Sequence, residues 1–121
     1  MTYTADYAVV EPGVEAVAAM SGRVALEFGA PWCPHCQAAQ PGLAQALSGR
    51  REVTHVKVED GKGRRLGRAF AVKLWPTLVL LRDGLEVARV VRPRGPGDLA
   101  EALARWDAGE VAVTPAAAGP M

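Results

Sequence analysis

A pair of cysteines, Cys33 and Cys36, lies where a predicted apolar strand is followed by a predicted helix, and this placement limits the possible folds of the chain. The composition of residues 23–28 is typical of a strand, and residues 34–48 begin with Pro34, which a helix tolerates in its first turn. The chain has no other cysteine. A disulfide between two residues so close in sequence adds little stability, so the pair indicates chemistry rather than a structural crosslink.

The position of the pair at a helix start favours thiolate chemistry. Unpaired backbone N–H groups and the helix dipole stabilise an anion there, and the thiolate of Cys33 is such an anion. Cys36 follows one turn later and lies further inside, where it can resolve a mixed disulfide formed by Cys33. Pro34 fixes the first turn, and a protonated His35 would further stabilise the thiolate.

The rest of the chain predicts an α/β fold with a mixed central sheet and helices on both faces. Helical spacing or helix-start signals predict helices, whereas β-rich or apolar runs predict strands. The Asp83-Gly84 pair predicts a hairpin turn, and Pro41 predicts a kink within its helix. The predicted helices are residues 13–20, 34–48, 63–70 and 97–106, and the predicted strands are 23–28, 52–58, 77–82 and 85–91.

Length and charge limit the class of protein. The chain has 121 residues and a formal net charge of +1, which fits one domain over residues 1–110 and gives no reason to expect a nucleic-acid partner. Residues 111–121 are rich in Ala, Pro and Gly, and we expect a mobile tail. The sequence has neither an apolar run of about 20 residues nor an N-terminal secretory pattern. We therefore expect a cytoplasmic protein without membrane contact, unless a leader has been removed.

A metal site is the alternative use of the two cysteines. Structural zinc needs four protein ligands, and the chain offers two histidines besides the cysteines. His35 lies within the Cys pair and is badly spaced to complete a tetrahedron, which leaves His55 alone to join. The sequence therefore predicts no metal and favours a redox pair.

Two separated motifs resemble the thioredoxin family. The segment Phe28-Gly29-Ala30-Pro31-Trp32-Cys33-Pro34-His35-Cys36 is similar to the family's active-site stretch, including the Trp before the first Cys. The downstream segment Phe70-Ala71-Val72-Lys73-Leu74-Trp75-Pro76-Thr77 is similar to the run that leads to the family's cis-proline. The resemblance extends over roughly residues 10–107 and includes Pro41 and the Asp83-Gly84 turn.

This resemblance implies a thioredoxin fold and thiol–disulfide exchange with protein disulfides. Cys33 would be the nucleophile and Cys36 the resolving thiol. Pro76 would be cis, and Trp75 would present backbone polar groups to an extended substrate. Thr77, which follows Pro76, would belong to the same substrate-binding segment. No bound cofactor is implied, because the electrons come from a reducing partner, either a thioredoxin-reductase-like protein or a small thiol.

The resemblance also singles out Glu27, six residues before Cys33, where thioredoxins carry a buried acid that helps to deprotonate the resolving thiol. The apolar neighbours of Glu27 predict burial, and a buried carboxylate could accept the Cys36 proton. The family's strand lysine aligns with His55, or with Lys57 if the register slips by one strand repeat. An exposed strand carboxylate and a packed histidine are the alternatives.

Three departures from the thioredoxin pattern affect the expected function. The dipeptide Pro34-His35 resembles that of the periplasmic disulfide oxidases and predicts a less reducing pair. Gly29 replaces a second active-site tryptophan, part of whose surface we expect Trp75 to fill. Arg92 replaces a glycine beside the site and would either select an acidic partner or lie in a solvated loop.

The sequence thus predicts a monomeric cytoplasmic reductase of protein disulfides that uses Cys33, Cys36 and Glu27. Two alternatives remain open. The first is a net oxidant or disulfide isomerase, which the Pro34-His35 dipeptide favours. The second is a non-enzymatic binding module that uses the Trp32 and Trp75 surface, against which the intact cysteine pair argues.

Overall fold

The computed structural model describes residues 3–109, apart from the side chain of Pro96. The elements are α1 (Val14–Ala18), β1 (Arg23–Gly29), α2 (Pro34–Ser48), β2 (Val53–Glu59), α3 (Leu66–Ala69), β3 (Thr77–Arg82), β4 (Leu85–Val91) and α4 (Pro96–Ala108). The predicted order of helices and strands is confirmed. The tail predicted for residues 111–121 lies outside the described residues.

The sheet is mixed, with the strand order β2-β1-β3-β4. β1 runs parallel to β2 and antiparallel to β3, and β3 pairs antiparallel with β4. In the β1–β2 register, Ala25 lies opposite His55 and Glu27 lies opposite Lys57. This register places two titratable strand residues of β2 beside the acid of β1.

An apolar core covers each face of the sheet, because successive side chains along a strand point to opposite faces. Leu78 and Leu80 belong to the core under α2 and α4, whereas Val79 and Leu81 belong to the core under α1 and α3. Helices therefore flank both faces, as predicted. The first core includes Ala25, Leu43, Leu47, Leu99, Leu103 and Trp106, and the second includes Val17, Leu26, Phe28, Leu66 and Phe70.

The helix α3 is shorter than the eight residues predicted. Gly63 has a φ of 82°, which keeps the chain out of the right-handed helical region before Leu66. After the helix, Ala71 has a φ of 57° and ends it. Leu66 and Phe70 are nevertheless buried, as their spacing predicts. The predicted burial of these two side chains is therefore confirmed, although α3 is shorter than predicted.

An N-terminal segment, residues 3–8, follows the outer edge of β2, and we call it the strap. The N–H of Ala8 donates to the carbonyl of Lys57 at 2.8 Å, and the hydroxyl of Thr4 donates to the carbonyl of His55 at 3.2 Å. Lys57 in turn donates from Nζ to the carbonyl of Ala5 at 2.9 Å. The strap covers backbone groups that an edge strand otherwise leaves open. Its path was not predicted from the sequence.

Candidate active site

The two cysteines lie at the start of α2, just beyond the end of β1. Cys33 is the residue that caps the helix, and its sulfur accepts a hydrogen bond from the N–H of Cys36 at 3.2 Å. Pro34 occupies the first turn, where its missing N–H leaves no hydrogen bond unmade. Both cysteines are free and buried. A backbone donor is thus directed at Cys33 Sγ, as stabilisation of a thiolate there requires.

Cys36 is held in its protonated form near neutral pH. Burial raises the pKa of Cys36 to about 12, helped by a hydrogen bond with Cys33 and by the charge of Glu27. A backbone hydrogen bond from Ala30 acts in the opposite direction. The two thiols therefore occupy different electrostatic surroundings, and Cys36 needs help to lose its proton.

Glu27 is fully buried beneath the cysteines, as its apolar neighbours predict. Its Oε1 lies 2.9 Å from Nε2 of His55, and its Oε2 accepts from Nε2 of Gln40 at 2.8 Å. Of the two partners that the resemblance offered, His55 is the one that contacts the carboxylate. Lys57 joins the same network one step away, by donating from Nζ to Oε1 of Gln40 at 3.0 Å.

Gln40 connects this network to the active-site helix and was missed from the sequence. Its Nε2 donates both to Glu27 and to the carbonyl of Cys36, the latter at 2.8 Å. Its Oε1 accepts from Lys57 and from the hydroxyl of Tyr3. The sequence did contain one indication of its role, because Gln40 follows Cys36 by four residues and so lies on the same side of the helix.

Trp75 covers the cysteine pair from the other side. The Trp75–Pro76 peptide bond is cis, as predicted, and Trp75 packs against Ala30, Cys33 and Cys36. Its indole N–H donates to Oδ2 of Asp60 at 2.8 Å, so Asp60 fixes the ring. Asp60 is a second residue that sequence reasoning missed.

Trp32 and Trp75 form an apolar surface beside the sulfurs. Their rings meet edge to face with centroids 5.5 Å apart, and Trp32 is 68% exposed. Thr77 begins β3, and its hydroxyl donates to the carbonyl of Leu74 at 2.6 Å. Trp32 and Trp75 thus lie next to Cys33, whereas Thr77 is buried and its hydroxyl is already bound within the chain.

Arg92 belongs to the same surface. Its Nε donates to the carbonyl of Trp75, and its backbone N–H donates to the carbonyl of Pro76, each at 2.8 Å. Its φ of 52° lies in the region that a glycine adopts without strain. The side chain is thus directed back onto the Trp75–Pro76 segment. His35, by contrast, is exposed on the first turn of α2.

Neither a metal nor a membrane helix is indicated by the described part of the chain. Among residues 3–109, no group of three or more His, Cys, Asp or Glu side chains is arranged to hold a metal ion. Over the same range, none of the helices has the length and apolar character needed to cross a bilayer.

A dithiol at a helix start, over a buried acid and beside a cis-proline, defines a thiol–disulfide oxidoreductase. A model of the thioredoxin family matches residues 13–105 of this chain. The chain belongs to the thioredoxin family, whose members exchange disulfides with proteins.

Known thioredoxins are similar in both sequence and structure. Thioredoxin 2 from Pseudomonas aeruginosa PAO1, solved in its reduced form, is 54% identical with a TM-score of 0.75, over 85% of this chain and 96% of that one. The thioredoxin of Chlamydia muridarum is 32% identical over 85 residues, which cover 70% of this chain and 83% of the relative. Human protein disulfide-isomerase A2 is 38% identical over 85 residues, 67% of this chain but 16% of that protein.

Proposed function

We propose that this protein is a cytoplasmic, monomeric reductase of protein disulfides. The observation that carries the proposal is the asymmetry of the dithiol. Cys33 Sγ accepts a backbone hydrogen bond at the start of α2, whereas burial and neighbouring groups raise the pKa of Cys36 to about 12. In such a pair, Cys33 is suited to attack a substrate disulfide and Cys36 is suited to resolve the mixed disulfide that forms.

The reaction proceeds in two exchanges. Cys33 Sγ, as the thiolate, attacks one sulfur of the substrate disulfide, forms a mixed disulfide and releases the other substrate sulfur as a thiolate. Cys36 then loses its proton and attacks Cys33 Sγ, which releases the second substrate thiolate. The two released thiolates take up protons, the substrate gains two electrons, and a reducing partner of the thioredoxin-reductase or small-thiol class restores the dithiol.

Glu27 is the proposed acceptor of the Cys36 proton. Support comes from its full burial and from its charge, which contributes to the raised pKa of Cys36. A buried carboxylate whose charge acts on the protonated Cys36 thiol is a suitable acceptor for the proton of that thiol. His55 and Gln40 hold both carboxylate oxygens and so act as positioning residues.

The proposed substrate surface comprises Trp32, Trp75 and Arg92, next to the buried residues Pro76 and Thr77. Its support is apolar area next to Cys33 together with a guanidinium anchored on the Trp75 carbonyl. An extended segment with apolar side chains and a nearby acidic group suits such a surface.

A net oxidant or isomerase is the second candidate. It is favoured by His35 between the two cysteines and by the similarity to human protein disulfide-isomerase A2. The reduction potential distinguishes the two directions of electron flow.

Reduction of insulin, with dithiothreitol as electron donor, tests the proposed reaction. We expect the parent to accelerate insulin precipitation and Cys33→Ser to abolish the acceleration. Cys36→Ser serves as the matched variant: it should lose turnover yet accumulate a mixed disulfide on Cys33, visible by mass spectrometry. Full activity in Cys33→Ser, or trapping on Cys36 in the parent, would contradict the assignment.

A further inference from the structure

The N-terminal strap brings a phenol to the resolving thiol. Glu27 and Gly29 point to the same face of β1, and that face carries Cys36. A Cβ added to Gly29 would lie 2.6 Å from Sγ of Cys36 and 3.1 Å from the hydroxyl oxygen of Tyr7. The absent side chain therefore leaves the space in which the sulfur and the phenol approach each other.

Tyr7 is held in this place by β2. Lys57 Nζ lies 4.6 Å from the centroid of the Tyr7 ring, a cation–π distance. The same Nζ donates to the carbonyl of Ala5, and Ala8 donates to the carbonyl of Lys57, so the strap is fixed on both sides of the tyrosine. Tyr7 and Cys36 also line one cavity of about 490 Å³ together with Lys57.

The Tyr7 hydroxyl keeps its proton at neutral pH. Burial is the main cause that raises its pKa, and Cys36 adds to it through the charge of its thiolate and through a hydrogen bond. A neutral phenol can donate a hydrogen bond to a thiolate, whereas it adds no charge of its own.

We propose that Tyr7 is a catalytic residue of the resolving step, in which its hydroxyl donates a hydrogen bond to Cys36 Sγ and stabilises the thiolate. The proposal rests on the dithiol exchange described above. In the mixed disulfide, Cys33 Sγ is bonded to the substrate, and the Cys36 proton passes to Glu27. Tyr7 keeps its own proton throughout, and the new Cys33–Cys36 bond expels the substrate thiolate.

The expected size of the effect follows from two opposing dependences. Lowering a thiol pKa by one unit raises the thiolate fraction about tenfold at neutral pH, but it lowers the nucleophilicity of that thiolate about threefold. The net gain is about threefold per unit. The same hydrogen bond stabilises Cys36 as the leaving group when a donor reopens the disulfide, so both directions gain.

Stopped-flow reaction of the reduced full chain with one equivalent of Ellman's reagent separates the steps. Attack by Cys33 releases the first thionitrobenzoate, and resolution by Cys36 releases the second in a phase that does not depend on reagent concentration. We expect Tyr7→Phe to leave the first phase unchanged and to slow the second about threefold for each unit by which the Cys36 pKa rises.

Thr4→Val is the matched control in the same strap. It removes the hydroxyl that donates to the His55 carbonyl and keeps the backbone N–H, so both phases should match the parent. Equal slowing of the second phase in Thr4→Val and Tyr7→Phe would assign the effect to strap anchoring and overturn the proposal. An unchanged second phase in Tyr7→Phe would overturn it as well.

Alkylation by iodoacetamide in a Cys33→Ser background measures Cys36 directly. The groups that face Cys36 are Glu27 from β1 and Tyr7 from the strap, with Lys57 over the Tyr7 ring and Asp6 at the cavity rim. Tyr7→Phe should shift the pH profile of the alkylation rate upward. A slowed second phase without this shift would contradict the proposed hydrogen bond. Failure of the parent to release the second thionitrobenzoate would instead contradict the dithiol exchange itself.

Discussion

At the scale of single residues, the ring of His55 determines how Glu27 is bound. The N–H of Thr4 donates to Nδ1 of His55 at 2.8 Å, so Nδ1 must offer its lone pair and the ring proton lies on Nε2. That proton points at Oε1 of Glu27, while Gln40 donates to Oε2. Both oxygens of the buried carboxylate therefore accept hydrogen bonds, which satisfies a charge that would be costly alone.

Replacing Glu27 by Gln tests this arrangement. The new amide must turn its NH₂ toward one of the two donors, His55 or Gln40, and an unsatisfied buried donor costs about 1–3 kcal/mol. We expect lower stability by that amount, slower release of a mixed disulfide, and unchanged initial attack by Cys33. Urea unfolding and the two-phase Ellman reaction measure these effects.

The exposed Glu101 provides the control for this change. Glu101→Gln makes the same chemical substitution on the outer face of α4 and should alter neither stability nor kinetics. If the release kinetics of Glu27→Gln match the parent from about pH 6 to 9, the role of Glu27 is structural only.

At the scale of the elements, the β3–β4 hairpin depends on its two-residue turn. Asp83 and Gly84 have φ values of 51° and 81°, the left-handed conformations that a tight hairpin of this kind requires. The Asp83 side chain accepts from the N–H of Gly22 at 2.6 Å, and so ties the turn to the start of β1. The turn therefore closes the β3–β4 hairpin and also holds it against the start of β1.

Gly84→Ala should destabilise the protein by at least about 2 kcal/mol, because a non-glycine residue in the left-handed region costs about 1–2 kcal/mol before any clash. Here the added Cβ would lie 2.1 Å from the carbonyl oxygen of Ala18. Gly97→Ala in α4, where the new Cβ would have no neighbour within 4 Å beyond its own stretch of helix, should be neutral or slightly stabilising. Equal midpoints of thermal unfolding for the two variants would contradict the prediction that only Gly84→Ala destabilises the protein.

At the scale of the whole molecule, the property that matters is the balance between its oxidised and reduced forms. Any group that stabilises the Cys33 thiolate stabilises the reduced protein and raises the reduction potential. The start of α2 supplies one such contribution, and it follows from the fold. His35 is exposed on the first turn of α2, and we predict that a protonated imidazole there adds a contribution specific to this sequence.

We expect a reduction potential above the value of about −270 mV that is typical of thioredoxin. The double variant Pro34→Gly with His35→Pro should lower the potential by about 30–60 mV, since 30 mV corresponds to about 1.4 kcal/mol for two electrons. Equilibration against glutathione measures both proteins. If the parent already matches thioredoxin and the double variant equals the parent, the dipeptide has no effect and a plain reductase is the better description.

Features of this protein that depend on residues adjacent in the chain were predictable from the amino-acid sequence. The strand of residues 23–28, the helix that begins at Pro34 and the Asp83-Gly84 turn follow from periodicity, proline and glycine preferences. The Cys pair at that helix start was therefore identifiable, whereas the role of Glu27 was inferred from the resemblance to thioredoxins. The resemblance to thioredoxins added the cis bond at Pro76.

The contacts between distant residues around the thiols depend on how the whole chain packs. Tyr7 reaches Cys36 because the strap follows the edge of β2, and Lys57 donates to Ala5 across 52 residues of sequence. Gln40 likewise contacts Glu27, and Arg92 contacts the Trp75 carbonyl, although each pair is separated in the sequence. Such contacts depend on sheet register and on the covering of an edge strand, which whole-chain packing selects and no local pattern encodes.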